Sequence, residues 1–191
     1  MTNSMMIVGV GGQDSLPVSR LIGNVLLSCG HEVKLSEVRG LSPYGGSVMT
    51  CVKYGDSVYS PLVDPGEADY LISFELLETA RYLPYLRPGG KIITSTQRID
   101  PMPVITGAME YPENLVEKLK AKADVTAVDA LSLAEAAGSP KAVGVVLMGV
   151  FSAFADIPEE LWQTALDQTV PPNHLELNKR AFALGRAAGK G

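Results

Sequence analysis

The chain has 191 residues, of which 46% are apolar and 19% charged, and no Pro/Gly/Ser-rich linker divides it, so we expect residues 1–191 to form a single domain. The net charge of −5 and the isoelectric point of about 5.1 exclude the basic surface that nucleic-acid binding requires, and we expect no nucleic-acid partner. The chain is slightly poorer in charged residues than an average soluble domain, which suggests that one face is buried against a partner protein.

The cysteines and the N-terminus bear on where the protein works. Cys29 and Cys51 lie far apart and in no C-x-x-C motif, so we predict reduced, buried thiols of a cytoplasmic protein. Two cysteines are too few to hold an iron–sulfur cluster or a four-ligand zinc ion. Residues 1–4 carry no basic side chain and the apolar run after them breaks at Gly9, which predicts no signal peptide.

The first elements along the chain are a strand, a glycine turn and a helix. Residues 5–10 form a short apolar run that ends in Gly-Val-Gly-Gly, which is typical of a strand buried on both faces of a parallel sheet. Over residues 16–28 the apolar side chains recur at helical spacing, and Gly30 ends the predicted helix. Residues 31–38 alternate as in a second strand, and a turn-rich loop follows at residues 39–46.

The middle of the chain predicts further strands. Residues 47–53 and 58–62, separated by the turn Tyr54-Gly55-Asp56-Ser57, indicate a β-hairpin, which would add an antiparallel element to the sheet. Buried strands are predicted at residues 69–74 and 91–95, with a helix at residues 75–82 between them. A helix at residues 113–123 and a short strand at residues 125–128 follow.

The last third of the chain predicts helices alone, at residues 131–137, 140–155, 158–168 and 173–188. The uncharged run at residues 142–155 is shorter than the roughly 20 residues of a membrane-spanning helix, so we interpret it as a core helix and expect no membrane partner. Trp162 is expected to anchor the core or an interface. The predicted fold class is α/β: a three-layer α/β/α Rossmann-like sandwich with a mostly parallel sheet, a β-hairpin and a helical C-terminal third.

The first candidate binding segment is the loop Gly9-Val10-Gly11-Gly12-Gln13-Asp14, between the first strand and the first helix. Free backbone N–H groups and the helix dipole can hold an anion at such a place. A dinucleotide fingerprint requires glycine where Asp14 stands, and a carboxylate there repels a pyrophosphate, although Glu37 fits the position of the ribose-binding acid. The alternative is that these glycines only let the helix pack close to the strand.

The second candidate segment spans residues 36–47. It should lie beside the first loop, because both follow the carboxyl ends of strands that we predict to be neighbours, and together they could form one crevice. Arg39 could clamp a carboxylate or phosphate, or it could pair with Glu37 or Glu32 on the surface. Gly45-Gly46 would let the backbone come close to another chain.

Histidines and serines are also present, but no sequence motif gives them a metal-binding or catalytic role. Neither His31 nor His174 has a second ligand at metal-binding spacing, so we assign no metal site. Ser15, Ser42 and Ser47 could act as nucleophiles, yet no nucleophile elbow or base-bearing motif accompanies them, and loop serines commonly form turns. No catalytic residue is assigned.

Taken in order, several segments of the chain resemble the gamma-type domain of pyruvate/2-oxoacid:ferredoxin oxidoreductases. Within this family the pattern is most similar to the beta subunit of indolepyruvate ferredoxin oxidoreductase. The segments cover nearly the whole chain and are Gly9-Val10-Gly11-Gly12-Gln13, Ser36-Glu37-Val38-Arg39-Gly40, Gly45-Gly46-Ser47-Val48, Val58-Tyr59-Ser60-Pro61, Glu67-Ala68-Asp69, the small-residue helix around Val145, Leu147 and Gly149, and residues 176–185.

The resemblance implies a subunit that bears no cofactor of its own. Members of the family oxidatively decarboxylate 2-oxoacids with thiamine diphosphate and iron–sulfur clusters and pass electrons to ferredoxin, and in the indolepyruvate type both cofactors sit on the large subunit. The present chain has no Gly-Asp-Gly thiamine signature. We therefore expect it to work with a large catalytic subunit, and indirectly with ferredoxin. The residues expected to shape the active site or bind a cofactor are Gly9, Gly11, Gly12, Gln13, Glu37, Arg39, Gly45, Gly46 and Ser47.

Two alternatives stay open at this point. The chain could be a free-standing Rossmann-like protein that binds a nucleotide at the loop of residues 9–14. It could also be a purely structural assembly subunit whose loops make protein contacts only.

Overall fold

The computed structural model describes residues 2–11, 13, 15–40 and 45–191, without the side chains of residues 15 and 16. A six-stranded sheet lies at its centre. The strands are β1 (Thr2–Val10), β2 (Glu32–Arg39), β3 (Ser47–Gly55), β4 (Ala68–Ser73), β5 (Leu86–Ser95) and β6 (Asp124–Val128). Their order across the sheet is β2-β3-β1-β4-β5-β6.

The strand pairing confirms a mostly parallel sheet with one reversed strand. β1 pairs in parallel with β4, with Met5 opposite Tyr70, and the β4–β5 and β5–β6 pairs are parallel as well. β3 runs antiparallel to both of its neighbours, β1 and β2. Five of the six described strands therefore point the same way, and their carboxyl ends lie along one edge of the sheet.

The hairpin predicted from residues 47–53 and 58–62 is wrong in its second strand. Residues 58–62 belong to none of the strands, and β3 instead forms the antiparallel hairpin of the fold with β2. Both edges of β3 are already paired, so the chain after Gly55 has no free edge of β3 to join. It crosses to β2, where the Val58 N–H donates to the Glu32 carboxylate at 3.0 Å.

Eight helices surround the described sheet, and they confirm the predicted helical C-terminal third. They are α1 (Ser15–Ser28), α2 (Leu76–Tyr82), α3 (Met102–Ile105), α4 (Leu115–Lys120), α5 (Ala130–Ala137), α6 (Val143–Ser152), α7 (Glu159–Thr169) and α8 (Leu175–Lys190). The predicted helix at residues 140–155 begins as a 3₁₀ turn at Pro140–Ala142 and becomes α6 only at Val143. The short helix α3 lies in a proline-rich passage for which no element was predicted.

The sheet separates two apolar cores, which gives the predicted three layers. Along β1 the fully buried side chains of Met5 and Ile7 face one core, and those of Met6 and Val8 face the other. This two-sided burial explains why the first strand is an uninterrupted apolar run. The larger core packs β1 against α1, α5, α6, α7 and α8, and the smaller core includes Leu119 of α4, with Ala80 and Tyr82 of α2 packed against it.

The closest helix packing in the fold joins α6 and α8. A Cβ atom built on Gly185 would lie 2.0 Å from the backbone oxygen of Val146, and one on Gly149 would lie 2.2 Å from that of Phe182. Glycine at these two positions lets the helix backbones touch. Trp162 of α7 is fully buried beside this pair, with its ring centroid 5.5 Å from that of Phe182, so it anchors the core.

Both cysteines are free thiols, and burial raises the pKa of each. Cys51 is buried as predicted, whereas Cys29 is only partly so. The helices in the described part of the chain include none with both the length and the apolar character needed to cross a membrane.

Candidate functional site at the carboxyl edge of the sheet

The two candidate loops meet at the carboxyl edge of the sheet, as predicted. The Gly11 N–H donates to the Gly46 carbonyl at 2.7 Å, and the Gly45 N–H donates to the Gly11 carbonyl at 3.3 Å. The predicted reason was incomplete, because β1 and β2 are not neighbours: β3 lies between them, and Ser47 at its start pairs with Val10 at the end of β1. The reversed strand thus brings the second loop directly against the first.

Gln13 holds the ends of three parallel strands together. Its Oε1 accepts a hydrogen bond from the N–H of Val10, the last residue of β1, at 2.9 Å. Its Nε2 donates to the Phe74 carbonyl at 3.3 Å, after β4, and to Oε1 of Gln97 at 3.2 Å, after β5. A carboxamide serves this purpose well, since it offers both a donor and an acceptor group.

Gly9 makes room for that carboxamide. A Cβ atom on Gly9 would lie 2.9 Å from Oε1 of Gln13 and 3.3 Å from Cβ of Phe74. The role of Gly9 is therefore close packing against the side chains of Gln13 and Phe74, which belong to loops and not to the helix that the sequence alternative expected to pack there. Gly12 and Asp14, which flank Gln13, lie outside the described residues.

The residues that lead into β3 have different roles. Gly45 adopts a φ of +75° with open space where a Cβ would be, so its backbone conformation requires glycine and its surroundings do not. The Ser47 hydroxyl donates to the carboxylate of Glu78, which is buried on α2 and also accepts from Nε of Arg81 at 3.1 Å. Ser47 therefore ties β3 to α2. The possible nucleophile Ser42 is not among the described residues.

Glu37 and Arg39 form an ion pair on β2. Nε of Arg39 donates to one carboxylate oxygen of Glu37, and the Thr50 hydroxyl donates to the other at 3.5 Å. The surface pairing that the sequence offered as one reading of Arg39 is thus confirmed. The Arg39 side chain is 54% exposed, and an ion pair this exposed contributes at most about 1 kcal/mol to stability.

Glu75, which the sequence analysis placed simply at the start of a helix, is the most fully engaged carboxylate at this edge. It is 1% exposed and directly precedes α2. One oxygen accepts from the Glu78 N–H at 2.9 Å, and the other accepts from the Ile99 N–H at 3.1 Å and the Tyr111 hydroxyl at 2.7 Å. Glutamate is not among the preferred N-cap residues, so the sequence carries no clear signal for the capping role that Glu75 has here.

Glu75 thereby fastens the segment of residues 98–111 to the sheet edge. The guanidinium of Arg98 packs over the Tyr111 ring, 4.1 Å from the ring centre. Between these two residues lie α3 and the turn that follows it, with Met102 66%, Ile105 65% and Met109 65% exposed. Single exposed apolar side chains are ordinary, but three within eight residues make a patch that suits a protein partner.

We expect the titration of Tyr111 to lower the free energy of unfolding at alkaline pH. Burial raises its pKa above the usual value, and the hydrogen bond and negative charge of Glu75 raise it further. The stabilisation is therefore fully present below about pH 10, where the unfolded tyrosine is still protonated, and is lost as the pH rises towards the folded-state pKa. Urea unfolding of Tyr111→Phe between neutral and alkaline pH should show a shallower decline than the unchanged protein. Identical slopes would contradict this assignment.

The described part of this edge is a set of interlocked loops with no assembled catalytic group. The described residues contain no group of three or more His, Cys, Asp or Glu side chains that could hold a metal ion. The polar side chains of Gln13, Ser47, Glu75 and Glu78 are all used to fix the loops to one another. The described residues of this edge offer a hydrogen-bonded surface with exposed apolar side chains beside it.

The amino-acid sequence of the chain is similar to those of known proteins. Residues 4–188 match the family model described as pyruvate ferredoxin/flavodoxin oxidoreductase. The chain is 37% identical over 193 residues to the indolepyruvate oxidoreductase subunit IorB of Thermococcus kodakarensis, an alignment that covers 98% of this chain and 96% of that one.

Solved structures share the fold at lower identity. The keto/oxoacid ferredoxin oxidoreductase gamma subunit from Geobacter sulfurreducens superposes with a TM-score of 0.73 at 19% identity, over 98% of each chain. A 2-oxoglutarate:ferredoxin oxidoreductase from Magnetococcus marinus superposes with a TM-score of 0.75 at 18% identity, over 99% of this chain and 31% of that one. The same fold therefore occurs both as a separate chain and as one part of a longer chain.

Proposed function

The chain belongs to the pyruvate ferredoxin/flavodoxin oxidoreductase family, and from this premise we propose that it is the small subunit of a 2-oxoacid:ferredoxin oxidoreductase that acts on indolepyruvate or another arylpyruvate. It works beside a larger catalytic subunit, and the two together decarboxylate the 2-oxoacid oxidatively and pass the electrons to ferredoxin. The aryl substrate is inferred from the relative at 37% identity, whose name specifies indolepyruvate.

The cofactors of such a reaction do not fit this chain, so we assign them to the larger subunit. The sequence has two cysteines and no Gly-Asp-Gly signature, which leaves neither the ligands for an iron–sulfur cluster nor a thiamine diphosphate motif. On the larger subunit, thiamine diphosphate would support decarboxylation and the clusters would carry electrons. The part left to this chain is to position its loops against that subunit.

The observation that carries this proposal is the joined pair of loops at the sheet edge. Backbone hydrogen bonds of Gly11 with Gly46 and Gly45 link the loops, and Gln13 fixes the first loop to the ends of β1, β4 and β5. A surface held in this way loses little conformational freedom when it closes against another protein, which favours a role in completing a site. The exposed apolar side chains of α3 lie at the same edge and would be covered by that contact.

The proposal is tested by co-expressing the chain with its large subunit and measuring indolepyruvate-dependent reduction of ferredoxin or of a viologen dye. We expect turnover by the complex and none by the small subunit alone. A large subunit that is fully active by itself would show that the completing role is wrong.

Gln13→Ala should separate site completion from simple assembly. Removing the carboxamide leaves the Val10 N–H without its described partner and frees the first loop, so we expect kcat/KM of the complex to fall about tenfold, which corresponds to about 1.4 kcal/mol. The measurement is steady-state turnover of the purified complex, with its stoichiometry checked by gel filtration. Gln168→Ala, at an exposed glutamine of α7, is the matched control and should leave kcat/KM unchanged.

The assembly alternative predicts a different outcome for the same complex. If the loops make protein contacts only, Gln13→Ala and Arg39→Ala should weaken complex formation while the complex that remains turns over normally. The nucleotide-binding alternative gains no support from the site, because Glu37, its proposed ribose-binding acid, is engaged by Arg39 and Thr50.

A further inference from the structure

A cavity of about 390 Å³ opens where α1, α6 and α8 begin. Its floor is apolar and includes the buried side chains of Val18 and Leu21 and the more exposed Pro17, Val170 and Leu177. This volume falls within the range of small-molecule binding sites, which are commonly apolar hollows with a few polar groups at defined places. Neither the loop site nor the exposed face of α3 accounts for it.

The solvent side of the cavity is basic. Arg20, Lys141 and His174 are exposed side chains that line it, and none of its described lining residues is acidic. Within the described parts of the chain, neither Arg20 nor Lys141 makes an ion pair, although most other arginines and several lysines do. In a chain of net charge −5, two cations that line one cavity and form no described ion pair are candidate groups for binding an anion.

The helix ends add to the same positive potential. The residues Ala142 and His174, which precede α6 and α8, provide no side-chain cap for the helices that follow. Each helix continues from a 3₁₀ turn, and the Leu175 N–H at the start of α8 already donates to the Pro172 carbonyl, so the helices contribute the positive ends of their dipoles and not free N–H groups. These features reinforce the charges of Arg20 and Lys141.

We propose that this cavity binds an organic anion that carries its charge on an apolar body. The charged group would lie against Arg20 and Lys141, and the body would cover Pro17, Val170 and Leu177. An inorganic anion would leave the apolar floor uncovered, and a neutral apolar molecule would leave the cations unpaired. The inference goes beyond the proposed oxidoreductase role, since it needs only residues of this chain.

The test is calorimetric titration of the full-length chain with four probes. Phenylacetate and phenyl phosphate are aromatic anions with different head groups, phenylacetamide is a neutral analogue, and inorganic phosphate lacks an apolar body. We expect at least one aromatic anion to bind saturably, at one site, and at least about tenfold more tightly than phenylacetamide and inorganic phosphate. The tighter of the two anions identifies the head group as a carboxylate or a phosphate.

Charge-removing variants place the binding in this cavity. Arg20→Gln and Lys141→Gln should each weaken binding of the aromatic anion about threefold, and the double variant about tenfold, because each removes one solvent-exposed charged partner. Both residues are exposed, so we expect the variants to unfold thermally as the unchanged protein does. Lys120→Gln, at an exposed lysine of α4, is the matched control and should bind normally.

Several results would overturn the proposal. They are the absence of saturable binding by both aromatic anions, equal binding of phenylacetamide or inorganic phosphate, and unchanged affinity when Arg20 and Lys141 are both replaced.

Discussion

Replacing Gly185 with alanine should lower the free energy of unfolding by about 3 kcal/mol or more, even though alanine is the better helix former. The added Cβ would lie 2.0 Å from the Val146 oxygen and 2.8 Å from the Val146 carbonyl carbon. Both atoms belong to the backbone of α6, which is buried along its whole length and cannot yield as a side-chain tip can. The variant can form only if α8 moves away from α6.

A glycine-to-alanine substitution in α1, in contrast, should not lower the free energy of unfolding. Gly23 lies within α1, and a Cβ there would meet only the end of the flexible Leu35 side chain, at 3.3 Å. Gly23→Ala should therefore leave stability unchanged or raise it by up to about 1 kcal/mol through helix propensity. Urea unfolding of the two variants gives the comparison. A Gly185→Ala protein as stable as the unchanged chain would contradict the close packing of α6 and α8.

Gly149→Ala provides a second check on that packing. Its Cβ would lie 2.2 Å from the Phe182 oxygen, so the variant should lose stability to a similar extent as Gly185→Ala. Because one separation of the two helices relieves both clashes, the double variant should lose less than the sum of the single losses.

Glu75→Gln should also cost about 3 kcal/mol, by a different mechanism. Both oxygens of the buried carboxylate accept hydrogen bonds, one from the Glu78 N–H and the other from the Ile99 N–H and the Tyr111 hydroxyl. A carboxamide must point its NH₂ group at one of these donors. The variant therefore loses at least one hydrogen bond to a charged group and leaves a buried donor unsatisfied.

The loss at Glu75 should be visible both globally and locally. Urea unfolding measures the stability, and limited proteolysis should cut the segment of residues 98–111 faster once its attachment to Glu75 is weakened. Glu110→Gln changes an exposed carboxylate of the same segment and should alter neither measurement. A Glu75→Gln protein with normal stability and normal resistance to protease would show that the carboxylate does not hold the segment.

Local sequence patterns predicted those strands and helices whose structure depends on their own residues. The apolar run at the start of the chain predicted a strand buried on both faces, and β1 is such a strand. Prolines and glycines marked the turns, and helical spacing marked α1 and the helices after β6. The patterns failed for residues 58–62, where an apparent second hairpin strand had no free strand edge to join, because β1 and β2 occupy both edges of β3.

For the two loops at the carboxyl edge, the sequence by itself determined their glycines and their positions after strands. Their closeness was predicted, but it arises from the reversed strand β3, which lies between β1 and β2. Only the tertiary structure decided what the residues there do. Gln13 joins Gln97 across 84 positions of sequence, and Glu75 joins Tyr111 across 36. Such partners are chosen by how the strands are ordered and how the helices pack, and a pattern within one segment carries no information about either.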